Sequence, residues 1–312
     1  MTLEVIILAA GKGKRMHSML PKVLHKVAQK PMLQHVIETA AELNPKAIHV
    51  VVGHKGEMIE QMIGELPEEL RSLISTARQE EQLGTGHAVA CAMPQVSAGS
   101  DVLVLYGDTP LTPVGLLKEM VSSKKSSSLC ILSARTDTPE GYGRILRNED
   151  GSLQAIVEEK DATEQQRRIT EVNTGIIICP ESILNLYLPK LGNSNQQGEY
   201  YLTDLAGMLV SDHLKVEVMT ASCFDLLSGV NSKAQLAFVE RMYQHLEAEN
   251  LLAQGVTLAD PSRLDVRGEL KCGQDVFIDI NCIFEGRVEL GSNVVIGAGC
   301  VVKDSVIGAI SF

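Results

Sequence analysis

The stretch that decides the fold lies at the amino terminus, where Val5-Ile6-Ile7-Leu8-Ala9-Ala10 is followed directly by Gly11-Lys12-Gly13-Lys14-Arg15-Met16. Six apolar residues in a row predict a strand that is buried on both faces, as in a parallel sheet. Small residues and glycines after such a strand let a polyanion approach the backbone. Arg15, and Lys22 a few residues later, add positive charge. We therefore expect a phosphate-binding loop here.

The composition limits the protein to a few classes. With 312 residues, 45% of them hydrophobic and 21% charged, the chain has the make-up of a soluble globular protein with more than one domain. No apolar stretch is long enough to span a bilayer, and the amino terminus lacks the pattern of a secretory signal. The seven cysteines are an odd number without a CxxC pair, which favours reduced thiols. We expect a cytoplasmic protein without a membrane partner.

Charge is distributed unevenly along the chain. The net charge of −11 argues against a nucleic-acid partner, which would need a basic face. Before Glu38, however, the only acidic residue is Glu4. The same segment carries six basic residues: Lys12, Lys14, Arg15, Lys22, Lys26 and Lys30. Because they flank glycines after a buried strand, a small polyanionic ligand is a better explanation than a solvated basic face.

Up to about Val230, strand-like and helix-like segments alternate. The strand candidates are 5–10, 47–53, 73–77, 102–106, 128–134 and 175–179. The helix candidates are 32–42, 57–63, 86–93, 113–122 and 201–210. This alternation predicts an α/β domain, a sheet with helices on both faces, in which ligands bind at the carboxyl ends of the strands.

The last third of the chain changes its period. Residues 234–253 predict one long amphipathic helix. Its predicted buried stripe consists of Leu236, Val239, Tyr243, Leu246 and Asn250. From Leu264 to Val306, every sixth residue is Leu, Val or Cys, which predicts a parallel β-helix with three six-residue blocks in each coil. We therefore expect a domain over 1–232, a linker helix over 233–253 and the start of a β-helix over 254–312.

The glycine loop fits neither of two common nucleotide-binding motifs. The dinucleotide motif GxGxxG would need glycine where Met16 stands, and the loop does not match the Walker A pattern GxxxxGK[ST]. The longer pattern LAAGxGxRM, with Pro21-Lys22 after it, is more specific. It resembles the signature of the sugar-1-phosphate nucleotidylyltransferases.

Further motifs resemble the same family in the same order along the chain. They are QEEQLGTGHA (79–88), VLVLYGDTPL (102–111), GYGRI (141–145), IVEEKDA (156–162), NTG (173–175), GEYYLTD (198–204) and GVN (229–231). Together with the long helix and the six-residue repeat, they resemble the bacterial family of bifunctional uridylyltransferases and acetyltransferases of amino-sugar phosphates. One departure is Leu226-Leu227-Ser228, where the family usually has an acidic pair.

The resemblance implies the residues of the site. Arg15, Lys22 and Asp108 would be catalytic, and Asp108 and Asn231 would hold Mg²⁺. Substrate binding is implied for Leu8, Ala9, Ala10, Gly11, Lys22, Gln79, Gln82, Gly84, Thr85, Tyr106, Gly143, Glu158, Asn173, Tyr201, Thr203 and Asn231. From the residues alone, an N-cap at Thr85, a turn role for Asp108 and a solvated charge run around Glu158 remain alternatives.

The resemblance also implies a reaction and partners. UTP and N-acetylglucosamine 1-phosphate would give UDP-N-acetylglucosamine and pyrophosphate, for cell-envelope precursor synthesis. The Rossmann-like domain would have a mixed, mostly parallel sheet, the β-helix would be left-handed, and the full-length protein would form a homotrimer. Residues for acetyl transfer from acetyl-CoA to glucosamine 1-phosphate would follow Phe312, so we expect a longer protein and no acetyl transfer from this part. The alternatives are a glucose-1-phosphate nucleotidylyltransferase and a non-catalytic scaffold of the same architecture.

Overall fold

A computed structural model describes residues 2–124 and 128–309. The strands are β1 (Thr2–Leu8), β2 (Lys26–Val27), β3 (Lys30–Pro31), β4 (Ala47–Val52), β5 (Ile74–Arg78), β6 (Ser100–Tyr106), β7 (Leu129–Arg135), β8 (Arg144–Arg147), β9 (Leu153–Val157), β10 (Glu171–Pro180), β11 (Val216–Ala221), β12 (Thr257–Leu258), β13 (Leu264–Cys272), β14 (Phe277–Ile278), β15 (Cys282–Leu290), β16 (Val295–Ile296), β17 (Val301–Lys303) and β18 (Val306–Ile307). The helices are α1 (Met32–Ala41), α2 (Gly56–Gly64), α3 (Glu68–Arg71), α4 (Thr85–Ala92), α5 (Val114–Ser123), α6 (Glu164–Arg167), α7 (Glu181–Tyr187), α8 (Asp204–Ser211) and α9 (Lys233–Ala253).

The chain divides into two compact units. The first contains residues 2–24 and 33–229, and the second contains residues 25–32 and 230–309. Among the described helices, none is long and apolar enough to cross a membrane. All seven cysteine thiols are free.

The first unit is built on a nine-stranded sheet. Its main strand order is β11-β7-β10-β6-β1-β4-β5, and the hairpin of β8 and β9 extends from β10. Strand β10 runs antiparallel to β6 and β7, whereas β1 is parallel to both of its neighbours. The predicted mixed, mostly parallel sheet of an α/β domain is therefore confirmed.

The first strand explains why the sheet is covered on both faces. Val5 and Ile7 belong to one hydrophobic cluster, and Ile6 and Leu8 belong to another. Successive side chains of a strand point to opposite faces, so an unbroken apolar run must be buried twice. All four residues are at most 9% exposed.

The helix predicted over 201–210 begins later than expected. It starts at Asp204, and the preceding residues Leu202 and Thr203 form a turn. The N–H of Leu202 donates to the hydroxyl of Thr85 at 3.0 Å, and the N–H of Tyr200 donates to the carbonyl of Leu83 at 2.7 Å. These bonds between distant segments are stronger constraints on the local backbone than helical propensity.

The second unit contains parallel β-helix coils. Leu264 pairs with Cys282, Phe277 with Val295, and Ile283 with Val301, so each partner lies 18 residues further along the chain. Three six-residue blocks therefore make one coil, as the repeat predicts. Inward apolar residues of successive coils form the third hydrophobic cluster.

The last block of the repeat departs from the predicted phase. Leu290 pairs with Ile307, which is only 17 residues further on, and Val306 lies opposite Glu289. Val306 is 76% exposed. The six-residue repeat puts Val306 in phase with the buried residues Val288 and Val294, but Val306 faces outward because the coil loses one residue at the turn that contains Asp304, which has a φ of 43°.

The long helix α9 buries a different stripe from the predicted one. Val239 is buried, but Asn250 is exposed. Gln244 is 2% exposed, and its carboxamide accepts from the N–H of Val266 at 2.6 Å and donates to the carbonyl of Val266 at 2.9 Å. A polar side chain is buried here because it satisfies the backbone of β13.

Candidate active site

A cleft of about 320 Å³ opens at the carboxyl ends of β1 and β6 in the first unit. It contains eleven of the predicted site residues: Leu8, Ala9, Ala10, Gly11, Lys22, Gln79, Gln82, Gly84, Thr85, Tyr106 and Asp108. Four other residues complete its lining: Lys12, which the sequence analysis named only for its charge, and Val23, Ala88 and Glu199. A cleft at the ends of central strands is the expected ligand position in an open α/β sheet.

The glycine loop bends so that Lys22 packs directly against it. Gly13 has a φ of 55°, and a Cβ there would lie 2.6 Å from the Cβ of Lys22. Any side chain at this position would be strained in its backbone and would displace the lysine stem. The loop then forms a short 3₁₀ turn, Lys14–Met16, on which Arg15 is exposed.

Two of the lining residues, Lys22 and Asp108, form a close ion pair. The ammonium of Lys22 contacts Oδ2 of Asp108, and their side chains are only 15% and 11% exposed. Asp108 is the second residue after β6, and Lys22 begins a 3₁₀ turn, so both groups are positioned by the adjacent secondary structure. Water screens such a shielded pair poorly, so its charges act strongly on any group bound next to it.

Tyr142 lies close to this ion pair. Burial raises the pKa of Tyr142, the carboxylate of Asp108 raises it further, and the N–H of Gly229 and the charge of Arg15 oppose the change. Its ring also packs edge-on against Phe224, with 5.0 Å between ring centroids. The sequence analysis quoted Tyr142 only as part of a motif, because nothing local indicates which residue of GYGRI approaches Asp108.

The segment before α4 forms the opposite wall of the cleft. Gln82 donates through Nε2 to the carbonyl of Ala10 at 2.9 Å, which joins this wall to the end of β1. Helix α4 begins at Thr85 after Gly84, but the hydroxyl of Thr85 does not cap it. The alternative reading of Thr85 as an N-cap is therefore wrong, because its hydroxyl accepts from Leu202 instead.

Glu199 enters the cleft through backbone pairing of its neighbour. The N–H of Gly86 donates to the carbonyl of Tyr200 at 2.8 Å, and the N–H of Tyr200 donates to Leu83. The sequence could have indicated Glu199 because it lies in the GEYYLTD motif. From that motif, however, only Tyr201 and Thr203 were predicted as site residues.

Replacing Gly84 with alanine is expected to destabilise the first unit. Gly84 has a φ of 110°, and a Cβ would lie 2.6 Å from the carbonyl oxygen of Tyr200. The expected loss is at least about 2 kcal/mol in the free energy of unfolding, measured by denaturant titration. Gly64→Ala is the control, since nothing lies within 4 Å of its Cβ position and its φ is ordinary. A loss no larger in Gly84→Ala than in the control would contradict this explanation.

A second group of predicted residues surrounds β10 in the same unit. Tyr106, Asn173 and Thr203 line a cavity of about 10 Å³, and the ring of Tyr106 packs against Gly175. The N–H of Asn173 donates to the carbonyl of Gly143 at 2.8 Å. Tyr106 is common to this cavity and to the larger cleft, so the two predicted halves of the site meet at its ring.

Glu158 is the acidic group of this second cluster. Its Oε1 accepts from the hydroxyl of Thr203 at 2.8 Å. Burial raises the pKa of Glu158, the Thr203 hydrogen bond opposes this, and the nearby carboxylates of Asp204, Asp161 and Glu199 raise it further. The carboxylate is thus partly shielded and hydrogen-bonded, which does not fit a fully solvated charge run.

The remaining predicted residues lie differently. Tyr201 is buried, and its hydroxyl accepts from Nε2 of Gln197 at 2.9 Å. Asn231 belongs to the second unit, where its N–H donates to Oε1 of Gln235 at 2.8 Å. Its role as a metal ligand stays a prediction.

The donor set around Asp108 suits a divalent ion that phosphates also bind. Within the described ranges, no three His, Cys, Asp or Glu side chains cluster as a metal site would require. A Cβ on Gly229 would lie 3.3 Å from Oδ2 of Asp108, so glycine keeps space beside the carboxylate. One carboxylate with open space fits an ion such as Mg²⁺, which keeps waters and substrate oxygens in its shell.

This mixed sheet, with a basic glycine loop facing a buried carboxylate, defines the domain as a nucleotidyltransferase. The family model described as "MobA-like NTP transferase domain" matches residues 5–247, and the model "Bacterial transferase hexapeptide (six repeats)" matches residues 270–304.

Curated relatives narrow the class further. "Bifunctional protein GlmU" of Azoarcus sp. (strain BH72) is 50% identical over 98% of this chain and 67% of its own length. The protein of the same name from Marinobacter nauticus is 51% identical over 98% of this chain and 66% of its own. The chain therefore belongs to the GlmU family, and it spans about two thirds of the length of these relatives.

A solved structure supports the fold. The crystal structure of UDP-glucose pyrophosphorylase complexed with UDP-glucose aligns with a TM-score of 0.65 and 18% identity, over 78% of this chain and 98% of that chain. At this identity the similarity concerns the fold alone.

Proposed function

We propose that the cleft transfers a uridylyl group from UTP to N-acetylglucosamine 1-phosphate and releases pyrophosphate. The observation that carries the proposal is the shielded Lys22–Asp108 pair, which lines the cleft together with Ala10 and Gly11 of the glycine loop. The cleft has amide side chains for a base, and Glu158 with Thr203 can bind sugar hydroxyls. Membership of the GlmU family supports the same reaction.

Catalysis in this proposal is positioning and charge stabilisation. An oxygen of the sugar phosphate, already ionised, attacks the α-phosphorus, and the bond to pyrophosphate breaks in line with it. The ammonium of Lys22 stabilises negative charge on the phosphates in a shielded position. Arg15, on the exposed 3₁₀ turn, is proposed to bind the departing pyrophosphate.

We propose Mg²⁺ as the divalent ion. Asp108 would hold it, with Asn231 as the second protein ligand that the sequence predicts. When bound, the ion neutralises charge that the nucleotide and sugar phosphates share.

The organisation of the chain is also proposed. Residues 1–232 would be the uridylyltransferase domain, 233–253 the linker helix, and 254–312 the start of a left-handed β-helix. The β-helix would belong to an acetyltransferase domain that uses acetyl-CoA in a cytoplasmic, homotrimeric protein. The 18-residue coil period and the hexapeptide match support this assignment.

The pH dependence of sugar binding is expected to follow Glu158. A carboxylate accepts hydroxyl hydrogen bonds better than a neutral carboxyl, and the pKa of Glu158 is raised by burial. The KM for the sugar phosphate should therefore fall as pH rises through a value above that of a free glutamate. In Glu158→Gln, this KM should be higher at neutral pH and should lose that dependence, measured as KM between about pH 4.5 and 8.

The effect of pH on the stability contribution of Glu158 is opposite to its effect on sugar binding: raising the pH weakens the first and strengthens the second. A raised pKa means that the folded state holds the proton more tightly, so the contribution of Glu158 to stability is present at low pH and is lost as pH rises through its folded pKa.

The control for the KM measurement is Glu149→Gln, which changes an exposed glutamate on the β8–β9 turn. An unchanged pH dependence of KM in Glu158→Gln would contradict the assignment.

The substrate can be tested directly. Pyrophosphate release from UTP is measured with N-acetylglucosamine 1-phosphate and, in parallel, with glucose 1-phosphate. We expect clear preference for the N-acetylated sugar. Equal rates would contradict the N-acetyl assignment, and no release with either sugar would contradict uridylyl transfer.

A further inference from the structure

The carboxamide of Gln79 has a fixed orientation. Its Nε2 lies 3.1 Å from the carbonyl oxygen of Gly84, which can only accept a hydrogen bond. The amide oxygen cannot take this place, because two acceptors would then face each other. The residue itself is held by its N–H, which donates to the carbonyl of Val52 at 2.8 Å.

The second N–H of the same amide determines the state of a histidine. Nε2 of Gln79 also lies 3.1 Å from Nδ1 of His87, so Nδ1 must present a lone pair. The neutral ring then carries its proton on Nε2. That nitrogen lies 3.7 Å from the sulfur of Cys91, one helical turn further along α4, where it can donate to a weak acceptor.

One atom of the Gln79 amide is left for a ligand. Both N–H groups are used, and across residues 2–124 and 128–309 no donor bonds to Oε1. Gln79 is 4% exposed and lines the cleft. The buried side chain of Gln79 therefore presents a rigidly oriented acceptor to the cleft, which selects a ligand with a donor at that point.

Pyrimidine bases differ in exactly this property. N3 of uracil carries a hydrogen and donates, whereas N3 of cytosine has a lone pair and accepts. An amide free to rotate by 180° could serve both bases, because its NH₂ group would bind cytosine. A fixed amide serves only uracil.

We propose that His87 is a positioning residue for base selection, which holds Gln79 so that its oxygen meets N3–H of uracil. This inference rests on the proposed uridylyl transfer. His87 itself does not line the cleft, and it acts through Gln79.

The test uses two substitutions at His87. His87→Leu removes the acceptor, so the Gln79 amide can turn at the cost of its remaining bond to Gly84. His87→Asn restores a carbonyl oxygen near the position of Nδ1. His245→Leu, on the exposed side of α9, is the matched control for loss of a histidine from a helix.

The readout is the ratio of kcat/KM for UTP to kcat/KM for CTP in pyrophosphate release. We expect this ratio to fall by about tenfold in His87→Leu, which corresponds to roughly one hydrogen bond. The change should lie mainly in KM, because the phosphates that react are bound elsewhere in the cleft. His87→Asn should recover most of the ratio, and the control should keep all of it.

Two outcomes would overturn the inference. One is an unchanged UTP-to-CTP ratio in a folded His87→Leu protein, and the other is a ratio that falls equally in His87→Asn. Nitrogen-15 NMR of the His87 imidazole in the wild-type protein is a second test, and it needs no substrate. A hydrogen on Nδ1 would also overturn the inference. Failure of the proposed function is separate: the wild-type protein would then release no pyrophosphate from UTP.

Discussion

Replacing Asp108 with alanine is expected to abolish metal-dependent nucleotidyl transfer while the fold survives. Asp108 is the carboxylate at the end of β6, and glycine keeps the space beside it open. A metal ion on phosphates stabilises several kcal/mol of transition-state charge, so kcat should fall by about 10³-fold or more. Pyrophosphate release is measured over a range of Mg²⁺ concentrations, and added Mg²⁺ should not restore the rate.

The same substitution removes one partner of a shielded lysine. Lys22 is 15% exposed and borders an open cleft, so water can solvate its ammonium after the change. The melting temperature should therefore stay within about 4 °C of the wild type. Asp137→Ala, at an exposed loop position, is the control for loss of one aspartate. A folded Asp108→Ala protein with wild-type turnover would show that the metal assignment is wrong.

Local sequence signals were sufficient for the centre of the first unit. The apolar run of β1 predicted burial on both faces, and each face has its own hydrophobic cluster. The glycines after that run predicted that a polyanion approaches the backbone, which stays a prediction, and the structure packs Lys22 against Gly13. These features depend on residues that are near each other in the chain, so patterns of apolar and small residues are enough to find them.

Other features depend on pairing between distant segments. Strand β10 lies antiparallel between β6 and β7, and no local sequence pattern predicts this. The apolar run of a buried strand does not depend on whether the strand is parallel or antiparallel to its neighbours. The position of Tyr200 against Leu83 and Gly86 delays the start of α8 to Asp204 and brings Glu199 to the cleft. A one-residue change in coil length reverses which side chain faces inward, so the six-residue count failed at Val306.

Replacing Lys22 with methionine is expected to separate the chemistry of the site from its metal affinity. The methionine keeps a stem against Gly13 and removes only the ammonium. By comparison with other charge-stabilising donors, kcat should fall on the order of 10²–10³-fold. The carboxylate of Asp108 then has no ammonium competing with the ion, so the Mg²⁺ concentration for half-maximal rate should stay equal or fall.

A lower kcat combined with an unchanged or lower Mg²⁺ requirement makes the prediction specific to Lys22. Lys26→Met, an exposed lysine on β2, should change neither value. Lys22→Arg should recover part of kcat, because arginine restores the positive charge but carries it on a planar guanidinium and not on a compact ammonium. If Lys22→Met raised the Mg²⁺ requirement as it lowered kcat, Lys22 would support the metal site and would not act on the phosphates.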